Sequence, residues 1–261
     1  MGEDGYPQKL YKYKSISTID DLERILDIIE NNRIYMPNRE QLNDPLEGTF
    51  MPIIEIHTAG SWMFKAQHKN HSYVSNQLDL YRILSLSADE RNMQMWAHYA
   101  GNYSGICIEF SSLGAFSKAR PVIYGSHPNR KVIEEPDLDQ IETFVEESFI
   151  HKSIGWKNES EFRIITKQND KSDVCFFEFE PSAITAIHLG HNIKKLCKDI
   201  IYKLCTQKGI PVYMTWCSDF SDELSLVEIH AIDQQVYAAG EDILKYEKDP
   251  SKREKMTLNR G

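Results

Sequence analysis

The stretch that most constrains this chain is 192–208, where Ile193, Leu196, Cys197, Ile200, Ile201, Leu204 and Cys205 recur at helical spacing. Apolar residues at i, i+3, i+4 and i+7 form one stripe of an α-helix, and that stripe must be covered by another layer. Asn192 suits the N-cap, and Gly209 suits the left-handed residue that ends a helix. Short apolar runs flank it at 183–189 and 210–216, each of strand length. A sheet is the expected partner.

The same grammar recurs along the chain. Leu10 to Lys14 (LYKYK) alternates Leu10, Lys12 and Lys14 against Tyr11 and Tyr13, as a strand with one aromatic face does. Ser17 or Thr18 then caps a helix carrying Ile19, Leu22, Ile25, Leu26 and Ile29 inward. Strands are expected at 33–36, 83–87, 105–110, 122–124 and 224–232, with a short helix over 89–100 capped by Asp89. Pro136 opens a further helix with Leu138, Ile141, Val145 and Phe149 inward. Residues 156–166 and 174–180 are expected to pair as strands across the polar turn 167–172, and 49–79 to be irregular with some helix. Short strands broken by single helices in irregular order predict an α+β fold, with a mixed, mostly antiparallel sheet core and flanking helices. One domain over 1–240 is expected, followed by a charged, loosely packed tail over 241–261.

A formal net charge of −9 argues against a chain built to coat nucleic acid, because that binding releases counterions from Lys and Arg contacts. Five cysteines without a C-x-x-C pair fit reduced thiols and a cytoplasmic location. No basic leader precedes an apolar run, and no run is long enough to span a membrane. His188 and His191 lack a third ligand nearby, so no metal is expected.

The residues that carry chemistry fall in three places. If 156–166 is one strand, Glu159, Glu161 and Arg163 share a face; they are either a reactive carboxylate pair or a surface ion-pair row. Trp96 and Tyr99, three apart on a helix, suit either stacking on a flat ligand or core packing, and His98 points elsewhere. Asn43, Asp44 and Glu47 in LNDPLE suit a ligand-holding loop or a tight turn, and the turn is favoured for Asn43. The lysines of 192–208 suit a solvated face or a nucleotide-attracting one.

In their order along roughly 10–230, LYKYK, LNDPLE, ILSLS, MWAHYA and GICIEF, then Lys152 and W-x-x-E-x-E-x-R (Trp156 to Arg163), resemble the bacterial family catalogued as domain of unknown function 2971. That resemblance implies little chemistry beyond an association with presumed defence genes. The order of motifs also resembles the ADP-ribosyltransferase fold, whose NAD pocket uses a polar residue on an early strand, a Ser or Tyr in the middle and a Glu on a late strand. Carried over, Lys12 stands where those enzymes have His or Arg, Ser87 and Tyr99 stand in the middle, and Glu159 and Glu161 stand for the late E-x-E. The resemblance implies Glu161, Glu159 and Tyr99 as catalytic residues. It implies Lys12, Tyr13, Ser87, Trp96, Asp44, Glu47 and Arg163 around NAD, with ADP-ribose passed to a protein, a nucleic acid or water. The charged lysine at 12 departs from that pattern, since it donates but does not accept a hydrogen bond. Two other classes stay open: a non-catalytic nucleotide- or protein-binding sensor module, and a nuclease gathering magnesium on Asp44, Glu47, Glu159 and Glu161.

Overall fold

The computed structural model describes residues 6–44, 71–125, 138–217 and 223–229. The chain runs β1 (Lys9–Lys14), α1 (Ile19–Asn31), β2 (Arg33–Tyr35), α2 (His71–Leu78), β3 (Tyr81–Ser87), α3 (Met93–Tyr99) and β4 (Ile106–Ser111). It continues through β5 (Arg120–Pro121), β6 (Ile123–Tyr124), α4 (Leu138–Ser148), β7 (His151–Lys152), β8 (Glu161–Lys167) and β9 (Phe176–Glu178). It closes with β10 (Ile184–Leu189), α5 (Lys195–Lys208), β11 (Val212–Cys217) and β12 (Leu224–Glu228). An eight-stranded sheet in the order β12-β11-β10-β4-β1-β3-β8-β5 forms the core. It is mixed and mostly antiparallel: β10 and β11 run parallel, with α5 as the helical crossover such a pair needs. The fold is α+β.

Both faces of the sheet are covered. On one face α1 and α5 bury Leu10, Leu84, Ile108, Ile164 and Ile187 in the main core. Thr18 starts α1 with a capping box, its hydroxyl accepting from Asp21 while Asp21 accepts from the Thr18 N–H. On the other face, α3 covers Tyr11, Tyr13 and Cys107, while Leu78, Val145 and Phe149 cover Tyr81 and Ile83. The alternating LYKYK pattern therefore belongs to a central strand buried on both sides. Its aromatic side is simply the smaller core.

Several expectations are corrected. Residues 156–166 and 174–180 do not pair with each other: β8 joins β3 and β5, and β9 joins β2. The polar turn between them carries the chain from the main sheet to a separate small one. Asn92, not Asp89, caps α3, accepting from the Gln94 and Met95 N–H groups. Helix α5 starts at Lys195 with Lys194 at its N-cap position, Leu196 is 70% exposed, and the Asn192 side chain donates to the Asn102 carbonyl instead of capping the helix. The proposed start of α4 at Pro136, most of 49–79 and the tail beyond 240 lie outside the described residues, although α2 occupies the end of 49–79.

The loop after α3 fixes that helix on the sheet. Gly101, Asn102 and Tyr103 all have left-handed backbone, and Tyr103 stacks on Trp96. The Tyr103 carbonyl accepts from the Asn192 N–H and lies against Gly190, where a β-carbon would sit 2.1 Å from it. Gly190→Ala should therefore cost about 1–3 kcal/mol, since backbone and not a flexible side chain must give way. Urea denaturation checks this, and a loss of stability near zero would mean that the loop is free to shift.

Candidate functional site

The site grows from the start of β8. Register sets Glu161 opposite Ser87 and Arg163 opposite Ser85, and Ser87 opposite Tyr11 of β1, so all of them share the sheet face that α3 covers. Residues two apart on a strand share a face, which lets Arg163 grip Glu161 with its fork: Nε donates to Oε1 at 2.7 Å and Nη2 to Oε2 at 2.9 Å. Arg163 Nη1 donates to the Phe149 carbonyl at 2.7 Å, which ties the end of α4 to the sheet.

Glu159 is not on that strand. It ends the 3-10 turn Ile154–Glu159, and Ser160 turns through left-handed backbone before β8 begins. Its carboxylate nonetheless returns to the same place. Lys152 Nζ donates to Glu159 Oε2 at 2.6 Å and to Glu161 Oε2 at 3.1 Å, while its charge lies 4.8 Å from the centre of the Trp156 ring. The Tyr99 hydroxyl donates to Glu159 Oε1 and accepts from Asn43 Nδ2. Two cations thus balance two carboxylates, all four of them buried. Unpaired, such charges would be costly to bury; paired and hydrogen-bonded, they persist.

Burial alone would raise the Glu161 carboxyl, but Arg163 beside it, then Lys152 and the Ser85 hydroxyl, pull it down to about 2. A carboxyl depressed in the folded state stabilises the fold fully above its ordinary value near 4.5, and that contribution is lost as pH falls toward 2. Acid titration should therefore show a loss of roughly 3 kcal/mol from this group between those limits. The Glu161→Gln variant should lack that segment of the curve; an unchanged acid limb would mean that the network does not persist in solution.

The three strands carrying Lys12, Ser87 and Glu161 are neighbours, in the order β1-β3-β8. β1 pairs along its whole length with β4 but meets β3 only at Tyr11–Ser87, so the sheet parts between β1 and β3. Lys12, on the main-core side of β1, donates across that parting to the Ser85 carbonyl at 2.7 Å. Burial, then the nearby Lys14, lower its ammonium; Glu161 opposes and Arg163 adds to the shift, which leaves it at about 7. The Ser87 hydroxyl donates to the Glu159 carbonyl at 2.8 Å and so holds the turn rather than facing outward.

Tyr13 and Trp96 are core residues. They meet edge to face, Tyr13 donates to the Asp89 carbonyl at 2.5 Å, and the Trp96 Nε1–H donates to the Glu90 carbonyl at 2.8 Å. Packing took both faces that a ligand would need. Asp44 is buried and Asn43 reaches Tyr99, so the LNDPLE loop touches the site through the residue read as a plain turn. Glu47 lies outside the described residues. His188 Nε2 meets Glu109 at 3.1 Å and His191 Nδ1 meets the Thr215 hydroxyl at 3.3 Å. Among the described residues no three His, Cys, Asp or Glu gather as a metal site, and no helix is long and apolar enough to cross a membrane.

Residues 95–164 match the model of the family Protein of unknown function (DUF2971). The DUF2971 stretch runs from α3 to the middle of β8, so it contains Tyr99, Lys152, Glu159, Glu161 and Arg163, the whole charge network and its tyrosine. Lys12, Ser87, Asn43 and Asp44 lie before it. No curated protein and no solved structure gives a significant match to this chain.

Sequence reading passed over Lys152 as a site residue, although it stands within the quoted motif string. The signal was charge balance: Glu159, Glu161 and Arg163, close together in the sequence, leave a second cation to find. Tyr124, whose oxygen accepts the Glu161 N–H at 2.8 Å, carried no such signal.

Proposed function

We propose that this chain is an NAD-consuming enzyme of the ADP-ribosyltransferase type, in which Glu159 and Tyr99 face the ribose and Glu161 braces them. The observation that carries the reading is the Tyr99–Glu159 hydrogen bond at the rim of a charge-balanced network, on a sheet where β1, β3 and β8 adjoin. In the reaction the bond from ribose C1′ to the nicotinamide nitrogen breaks, and its electron pair leaves with nicotinamide. The cation left on the sugar is stabilised by a carboxylate that accepts a hydrogen bond from the neighbouring hydroxyl, as in glycosidases. Glu159 Oε1 suits that role, because its present partner is a hydroxyl that a ribose hydroxyl can replace. Glu161 does not, since Arg163 and Lys152 hold both of its oxygens. The acceptor then bonds to C1′ through its own electron pair and releases its proton to water.

Lys12, expected beside NAD, lies instead on the main-core side of β1 and donates to the Ser85 carbonyl, so it adds no ligand contact to this reading. The nuclease alternative draws less support, because Lys152 already sits between Glu159 and Glu161 where a divalent cation would. The binding-module alternative keeps one argument: the network is already satisfied without any ligand.

The test is release of nicotinamide from NAD by the purified chain, with cell extract supplied as a source of acceptors. The wild type should release it and Glu159→Gln should not. Nucleotide binding without release would favour the binding module, and neither binding nor release would remove the NAD reading.

A further inference from the structure

We propose that Lys152 is the positioning residue of this site: its one ammonium group clamps Glu159 and Glu161 together and leaves Glu159 Oε1 turned toward Tyr99. This rests on the reading of Glu159 as the ribose-facing carboxylate. The two acids come from different backbone settings, a 3-10 turn and a strand, and left-handed Ser160 stands between them. Their main chains therefore do not fix one carboxylate relative to the other. Lys152 does, at 2.6 and 3.1 Å, from the short strand β7, which is itself held parallel to β6 by the pairing of Tyr124 with Lys152.

The surroundings leave the clamp little freedom. The Lys152 side chain is 2% exposed and Trp156 covers its charge. Tyr99 reaches the clamp from α3 through Glu159, Arg163 reaches it from β8 through Glu161, and Tyr124 faces it from β6. Lys12 on β1 acts on both carboxylates through space. Without Lys152, Glu159 loses its ion-pair partner at 2.6 Å while Arg163 stays on Glu161, and like charges in one buried site favour taking up a proton. A carboxyl of this pair that takes up a proton no longer supplies the charge that stabilises a sugar cation.

Lys152→Met, Lys152→Gln and Lys152→Arg test this with two readouts. The first is NMR titration of 13C-labelled glutamate carboxyls without nucleotide. Lys152→Met should show one carboxyl titrating about one to three pH units higher than in the wild type, and Lys152→Arg should restore the wild-type curve. The second is nicotinamide release, where Lys152→Met should lower kcat about tenfold or more, with KM within about twofold and the acid limb of the rate moved up with the carboxyl. If Lys152→Met does not fold, Lys152→Gln takes its place. A folded variant with unchanged carboxyl titration overturns the inference. A shifted titration beside a wild type that releases no nicotinamide keeps the clamp and removes the NAD reading.

Discussion

Glu161→Ala is expected to destabilise the fold by about 3–5 kcal/mol, the largest stability effect of any single change at this site. Removing the carboxylate strips Arg163 of both fork contacts and takes from Lys152 one of its two carboxylates. Arg163 is 1% exposed, so water cannot replace what was lost, and its guanidinium stays in the interior without that carboxylate. The expected midpoint drop is roughly 10 °C for a chain of this size. A double variant sharpens the test. Glu161→Leu with Arg163→Met keeps the remaining Lys152–Glu159 pair neutral, and buried ion pairs replaced by apolar groups often cost little. Urea midpoints should place the double variant nearer the wild type than Glu161→Ala. If instead the single change costs under about 1 kcal/mol, the network behaves as a solvated surface pair.

Nicotinamide release should fall about 10²- to 10⁴-fold in Glu159→Gln, the scale of losing a positioned acid–base group. The loss should be mainly in kcat, with a smaller stability cost than Glu161→Ala, because a glutamine oxygen can still accept from Lys152. Tyr99→Phe removes the hydroxyl that bridges Asn43 and Glu159 and should cost less, on the order of tenfold in rate. Comparing Glu159→Gln with Glu161→Gln assigns the carboxylate. If Glu161→Gln stays folded and loses the activity while Glu159→Gln keeps it, the two roles are reversed.

The parts of the fold legible in the sequence were those whose cause is local. The α1 cap at Thr18, the left-handed stop at Gly209 and the apolar periodicity of α5 each rest on residues within one or two turns. Strand pairing was not legible. Nothing near residues 156–180 says that β8 pairs with β3, some eighty residues earlier, because pairing is settled by which faces remain to be covered once the whole chain collapses. The candidate site divides the same way. Glu161 and Arg163 were readable as a same-face pair from their spacing. Whether that pair lay in water or in the core turned on Lys152 and Tyr124, which arrive from β7 and β6.

The sequence by itself determined the α+β class, the positions of most helices and strands, and the set of charged and aromatic residues from which a site can be built. Tertiary structure decided which of them act together: it sent Trp96 and Tyr13 into the core, brought Asn43 to Tyr99, and closed Lys152 over two carboxylates. Secondary structure follows torsional preference and periodicity, which neighbours along the chain supply. A buried charge network follows desolvation and pairing, which depend on groups that only folding brings within 3 Å or so.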